Sequence, residues 1–219
     1  MTTNKGLCAA LGAALLLTAC SQGTPPSVAR AQAAQRQAQA EIKTGVRAFG
    51  HHSYKIALSH FDRALALDSH NADALYDRGL TEEQLRSTKH AESDLASAVK
   101  LRPSWNAARV HLAAEQYHTH HFADSAKNFD VALKASSKSA VLWLDDGVSY
   151  YHLARYADAR KRFARALALA PRSGRAHYWL GMTYNHLGNK PKAQGELALA
   201  AHSRDVVVRT AARRELRAR

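Results

Sequence analysis

Apolar positions along this chain fall into blocks that recur every 34 residues. Each block holds a small residue, a large apolar residue four places on, and an alanine three places beyond. The series reads Ala57-Phe61-Ala64, Ala91-Leu95-Ala98, Ser125-Phe129-Ala132, Ala159-Phe163-Ala166 and Ala193-Leu197-Ala200. That spacing places all three residues on one face of an α-helix. Upstream of each block a small residue recurs in step: Gly45, Gly79, Ala113, Gly147 and Gly181. Glycine inside a helix costs roughly 0.5–1 kcal/mol relative to alanine. Four glycines at one phase therefore predict a close helix–helix approach that a larger side chain would block. The pattern predicts helix, turn and second helix in every period. Pro103 and Pro171 follow apolar runs and end helices there, whereas Pro191, after Gly188-Asn189-Lys190, suits the first turn of a new helix. No stretch alternates as a strand does.

The residues at these phases resemble the tetratricopeptide repeat (TPR), a 34-residue helix pair. The segment with Trp143, Gly147, Tyr150, Ala159, Phe163, Ala166 and Pro171 matches best. Five units are expected, over 38–71, 72–105, 106–139, 140–173 and 174–205. Four residues depart from the family pattern: Asp146, Glu41 and Thr44 stand at usually apolar positions, and His177 replaces the family tryptophan. The resemblance implies an all-α solenoid, in which each unit buries its face against its neighbours. The stretch 206–219 is expected to be a basic capping helix, with Val206, Val207, Thr210, Ala211 and Leu216 on its buried face.

The first residues are a different object. Met1–Ala19 carries one charged side chain, Lys5, and an apolar run from Leu7 to Leu17. That reads as a secretory signal, too short to span a bilayer. Leu17-Thr18-Ala19-Cys20 resembles the bacterial lipobox. In that family the peptide is cut before the cysteine, which then carries fatty acyl chains such as palmitate. Cys20 is the expected lipidation site, and Ser21 after it favours the outer membrane. Residues 20–37 are expected to form the anchor, a short polar tether and the start of an N-terminal helix.

The net charge is +13. An excess of this size points to an anionic partner or to a solvated basic face, and export argues against nucleic acid. Thirteen histidines are present, with His118, His120 and His121 clustered and His51 beside His52. No cysteine or carboxylate stands at a metal-ligand spacing from them, so no metal and no cofactor are expected. His118, His152 and His186 recur at the thirteenth place of successive units. No nucleophile elbow, phosphate loop or HExxH is present, and the chain reads as a non-enzyme. Asp145 and Asp146 are adjacent and point about 100° apart on a helix, so they do not form a carboxylate pair.

What the resemblance implies for function is protein or peptide binding on the concave face made by the first helices. The expected groove residues are Tyr76, Leu80, Tyr117, His118, Leu144, Val148, Tyr151, His152, Tyr178, Met182 and His186. Apolar and aromatic residues at the fifth and ninth places argue against the lysine and asparagine clamp that grips carboxyl termini. The overall plan is similar to pilus-assembly lipoproteins: a lipid-anchored adaptor at the periplasmic face of the outer membrane, helping to assemble an envelope complex. Two other readings are an adaptor for peptidoglycan hydrolases or β-barrel assembly, and a His-rich metal- or pH-responsive envelope protein.

Overall fold

The computed structural model describes residues 25–218, and among them it shows eleven α-helices and no strand. The signal segment 1–19 and Cys20 lie outside the described residues. The helices form five pairs and a cap: α1 (Pro26–Gly50) with α2 (Tyr54–Leu67), α3 (Ala72–Gln84) with α4 (Thr88–Leu101), and α5 (Asn106–His118) with α6 (Phe122–Ala135). Then follow α7 (Ala140–His152) with α8 (Tyr156–Leu169), α9 (Gly174–His186) with α10 (Lys190–Ala200), and α11 (Val206–Arg217). From α2 to α10, helix starts repeat at intervals of 34 residues. Packing is closest within each pair, then between consecutive pairs, and each first helix also touches the next first helix. This is the solenoid that the periodicity predicts.

The turn inside each pair is built the same way five times. His52, Arg86, His120, Ala154 and Gly188 hold positive φ angles between 56° and 74°. The amide of the following residue reaches back to the carbonyl five residues before it, as in Ser87 to Glu82 and Arg155 to Tyr150. This is the left-handed closure that satisfies a helix C-terminus. Only the last of the five turns uses glycine, the residue that adopts such angles without a steric cost. Side chains of Asn71, Ser139 and Ser173 cap α3, α7 and α9 by accepting amide N–H bonds.

The glycine phase packs against the large apolar phase sixteen residues later. A Cβ on Gly45, Gly79, Gly147 or Gly181 would stand 2.6–2.9 Å from Phe61, Leu95, Phe163 or Leu197. These large side chains are wholly buried. Each pair therefore crosses where one helix has no side chain and the other inserts a ring or a leucine.

Every residue that departs from the family pattern finds a polar partner. Glu41 accepts from Arg63 Nε at 3.1 Å and stands 2.7 Å from His60 Nδ1, and Thr44 Oγ1 donates to the Ala40 carbonyl at 3.0 Å. His177 Nδ1 is 2.7 Å from Glu196 Oε2, and its Nε2 is 2.9 Å from the Pro171 carbonyl. Trp143 Nε1 and Arg109 Nη2 donate to the carbonyls of Ser137 and Pro103, again six residues before them. Three different side chains thus make one hydrogen bond in three successive units.

The cap differs from expectation. Val206 and Val207 are 59% and 78% exposed, and Thr210 is exposed too. The buried residues are Val208 and Ala212, with Leu216 packed beside them against Leu197, Ala200 and Ala201. Val208, Ala212 and Leu216 stand four residues apart on the single stripe that docks on α9 and α10, which leaves Val206 and Val207 outside it. The Asp205 side chain accepts from the amides of Val207 and Val208 and caps the helix. At the other end α1 runs unbroken for 25 residues, and its first part up to Gln37 is largely exposed.

Candidate functional site

The first helices of the pairs line one face of the solenoid. Between α5, α7 and α9 that face holds a pocket of about 260 Å³. Tyr117, His118 and Ala114 come from α5, Asp145 and Val148 from α7, and Arg175 and Trp179 from α9, with Phe129 below. Its lining is about evenly apolar and polar, with Ala114, Phe129, Val148 and Trp179 beside the polar groups of Tyr117, His118, Asp145 and Arg175. Asp145 and Arg175 face each other at 3.9 Å, the carboxylate one-third exposed and the guanidinium more than half. Burial raises the Asp145 carboxyl above its usual range, while Arg175 and then His118 pull it back down. Asp77, one first helix further toward the N-terminus than α5, is pushed up to about 6 by burial and then by Asp73.

Beside the pocket runs a ladder of tyrosines and histidines. The Tyr117 hydroxyl is 3.2 Å from His152 Nε2, and the Tyr151 hydroxyl is 2.9 Å from His186 Nε2. Each histidine ring lies on the first aromatic of the preceding second helix. Phe122 stacks on His152 at 4.7 Å, and Tyr156 stacks on His186 at 4.3 Å. Burial lowers the His152 pKa, and His120 lowers it further. His152 and His186 thus join one unit to the next, each paired with the tyrosine 35 residues before it.

The structure distributes the expected groove residues among three environments. Tyr117, His118 and Val148 line the pocket. Tyr151, His152 and His186 form the ladder. Leu144 is buried in the packing cluster, Tyr76 lies 4.5 Å from the Trp105 ring, and Tyr178 packs against the cap. Leu80 and Met182 are half-buried on the first helices. The pocket also contains Ala114, at the ninth place, and Asp145, Arg175 and Trp179, which sequence reasoning did not place in the groove. Their signal was the second and sixth places of each unit, which read Asp73, Ala107, Val141, Arg175 and Asp77, His111, Asp145, Trp179 from the second unit onward.

Asp145 and Asp146 diverge as their adjacency requires. Asp145 faces the pocket, whereas Asp146 is wholly buried and accepts from Arg162 at 2.9 Å. Among the described residues, no three His, Cys, Asp or Glu side chains are placed to share a metal ion. His121 instead sits 2.9 Å from Glu92. No described helix is long and apolar enough to cross a membrane.

The tetratricopeptide repeat profile matches residues 42–108 and 144–205, together more than half of the chain. The chain belongs to the tetratricopeptide repeat family. Solved TPR structures carry the same fold. YrrB, described as a TPR protein with an unusual peptide-binding site, is 20% identical, with 80% of this chain and 90% of YrrB covered and a TM-score of 0.74. MamA from Desulfovibrio magneticus RS-1 is 16% identical, with 75% and 93% covered and a TM-score of 0.70. At these identities the likeness is one of fold alone. No curated protein sequence matches the chain. The TPR fold is a scaffold for binding protein or peptide partners.

Proposed function

We propose that this TPR protein is a non-enzymatic adaptor, held to the outer membrane by acyl chains on Cys20 and helping to assemble an envelope complex such as a pilus or secretion system. The observation that carries the binding role is the pocket between α5, α7 and α9, where apolar and aromatic side chains meet the converging polar groups of Tyr117, His118, Asp145 and Arg175. YrrB, which shares the fold, has a peptide-binding site, and that supports a peptide segment as the ligand here. Anchoring rests on the apolar run and the Leu17-Thr18-Ala19-Cys20 sequence. A lipid-held solenoid keeps its groove near the membrane while leaving one whole face open to a partner.

The test is crosslinking of the lipidated protein in membranes, followed by pulldown and mass spectrometry. Ala114→Trp places an indole in the pocket without touching the helix-crossing glycines. Components of one envelope assembly are expected from wild type and lost from the variant, with helicity unchanged. Equal recovery from both would move the working surface away from the groove.

A further inference from the structure

In the three middle pairs the charges are sorted between first and second helices. The first helices α3, α5 and α7 carry seven carboxylates and two arginines. The second helices α4, α6 and α8 carry five carboxylates and eight lysines and arginines. In a chain with a net charge of +13, these three helices therefore run against the overall sign, while α9, which closes the pocket, brings Arg175 and no carboxylate. Both arginines of the first set are already engaged within the fold. Arg78 binds Asp62 and Asp94, and Arg109 binds Asn128 and the Pro103 carbonyl.

A second pocket, of about 440 Å³, adjoins the first at His118, which lines both. Glu83 and Glu115 line it, together with Arg86. Glu115 is 2% exposed, and its Oε2 has no hydrogen-bond partner. In the first pocket Asp145 shares the walls with the rings of Tyr117 and Trp179. Its only ion-pair partner there, Arg175, is 3.9 Å away and mostly in solvent.

We propose that the pocket lined by Tyr117 and Trp179 takes a lysine or arginine side chain from a basic partner segment, with Asp145 as the counter-charge. This rests on the groove being the partner-binding surface and adds the chemistry of the partner. A volume of about 260 Å³ suits one long side chain. Aromatic faces attract a cation, and more strongly once water is excluded. The Arg175 guanidinium is exposed enough to swing aside as the incoming cation replaces it. An acidic segment would meet Arg175 at the rim but would then face Asp145 and Glu83 within the same groove. The outer helices, with their excess of lysine and arginine, repel a basic segment and so leave the groove as its favourable place.

The experiment uses the full-length protein in detergent at physiological salt. Two fluorescent peptide amides of about ten residues serve as probes, one alternating lysine with leucine and one alternating glutamate with leucine, read by anisotropy. The lysine peptide is expected to bind, to weaken about tenfold or more with Asp145→Asn, and to bind at least as tightly to Arg175→Gln. The glutamate peptide is expected to be indifferent to Arg175→Gln. Lysine-peptide binding that ignores Asp145→Asn overturns the proposal, and so does a glutamate peptide whose binding collapses with Arg175→Gln. Ala114→Trp separates the two levels. If it abolishes binding while Asp145→Asn does not, the charge assignment fails and the groove stands. If it changes nothing for either peptide, the groove itself is not the working surface.

Discussion

Asp146 and Arg162 repeat the ion pair of Arg78 and Asp94 with the charges exchanged. Arg162 donates to Asp146 at 2.9 Å and to Asp130 at 2.8 Å. Arg78 donates to Asp94 at 2.6 Å and to Asp62 at 2.9 Å. Both pairs span sixteen residues and occupy the same two places two units apart, each beside an aspartate of the preceding second helix. A charge is therefore tolerated at a usually apolar place because its partner is built into the facing helix. Arg162 also lies 4.0 Å from the Tyr150 ring, whose hydroxyl donates to Asp130.

Removing one partner should cost far more than exchanging both. Arg162→Met leaves Asp146 wholly buried and unpaired, and breaking such a pair costs roughly 3–5 kcal/mol. The double variant Asp146→Arg, Arg162→Asp recreates the order found in the second unit, with Asp130 standing where Asp62 does. It should recover more than half of the lost thermal stability. A double variant no better than the single would show that the two sites are not interchangeable.

Two buried carboxyls make the middle of the solenoid pH-sensitive in an unusual direction. Burial, and then Glu83, pushes Glu115 up to about 7, and burial followed by Asp94 does the same for Glu82. The folded state therefore holds these protons more tightly than the unfolded chain. Their stabilising effect is complete below the unfolded value of about 4.3 and is lost as the pH rises through about 7. Glu115→Gln should thus match wild type near pH 4.5 and exceed it at pH 8 by on the order of 2 kcal/mol. Melting curves across that range check this; a constant offset between the two proteins would exclude a titrating Glu115.

Backbone substitutions should have opposite signs at two neighbouring sites. A Cβ on Gly147 would stand 2.6 Å from Phe163, so Gly147→Leu forces α7 and α8 apart and should cost more than about 1 kcal/mol. Ala154 holds φ 56° in the turn that follows, and Ala154→Gly should stabilise by roughly 0.5–1 kcal/mol. Chemical denaturation of both variants reads the two shifts together.

The ladder makes Tyr151 part of the fold as well as part of the exposed face. Its ring packs 5.0 Å from Trp179 and its hydroxyl meets His186. Tyr151→Phe should cost only about 0.5–1 kcal/mol, the net value of one hydrogen bond. Tyr151→Ala should cost distinctly more, because the ring contacts go too. Equal melting temperatures for Tyr151→Ala and wild type would show the ring to be free of the fold.

Anchoring is checked in cells. Cys20→Ser should abolish palmitate labelling and release the protein from the membrane fraction. Retention of both label and membrane association would end the lipoprotein reading.

The sequence by itself determined what depends on neighbours along the chain. A period of 34 places apolar residues on one helix face, and it marked five helix pairs, their turns and the small residues at the crossings before any contact was known. Helical geometry is local, so a regular pattern is enough to read it. Tertiary structure decided everything that depends on which side chains meet across sixteen or thirty-five residues. Asp146 looked like a break in the pattern until Arg162 was seen beside it. The recurring histidines read from the sequence as groove positions, and only the tertiary structure pairs His152 and His186 with Tyr117 and Tyr151 of the preceding units. The pocket draws one to three residues from each of several helices, Asp145, Arg175 and Trp179 among them, and no local pattern distinguishes these from other polar or aromatic positions. The capping helix shows the same limit on a small scale. Its apolar residues were visible, but which of them are buried was decided by the stripe of Val208, Ala212 and Leu216 that docks on α9 and α10.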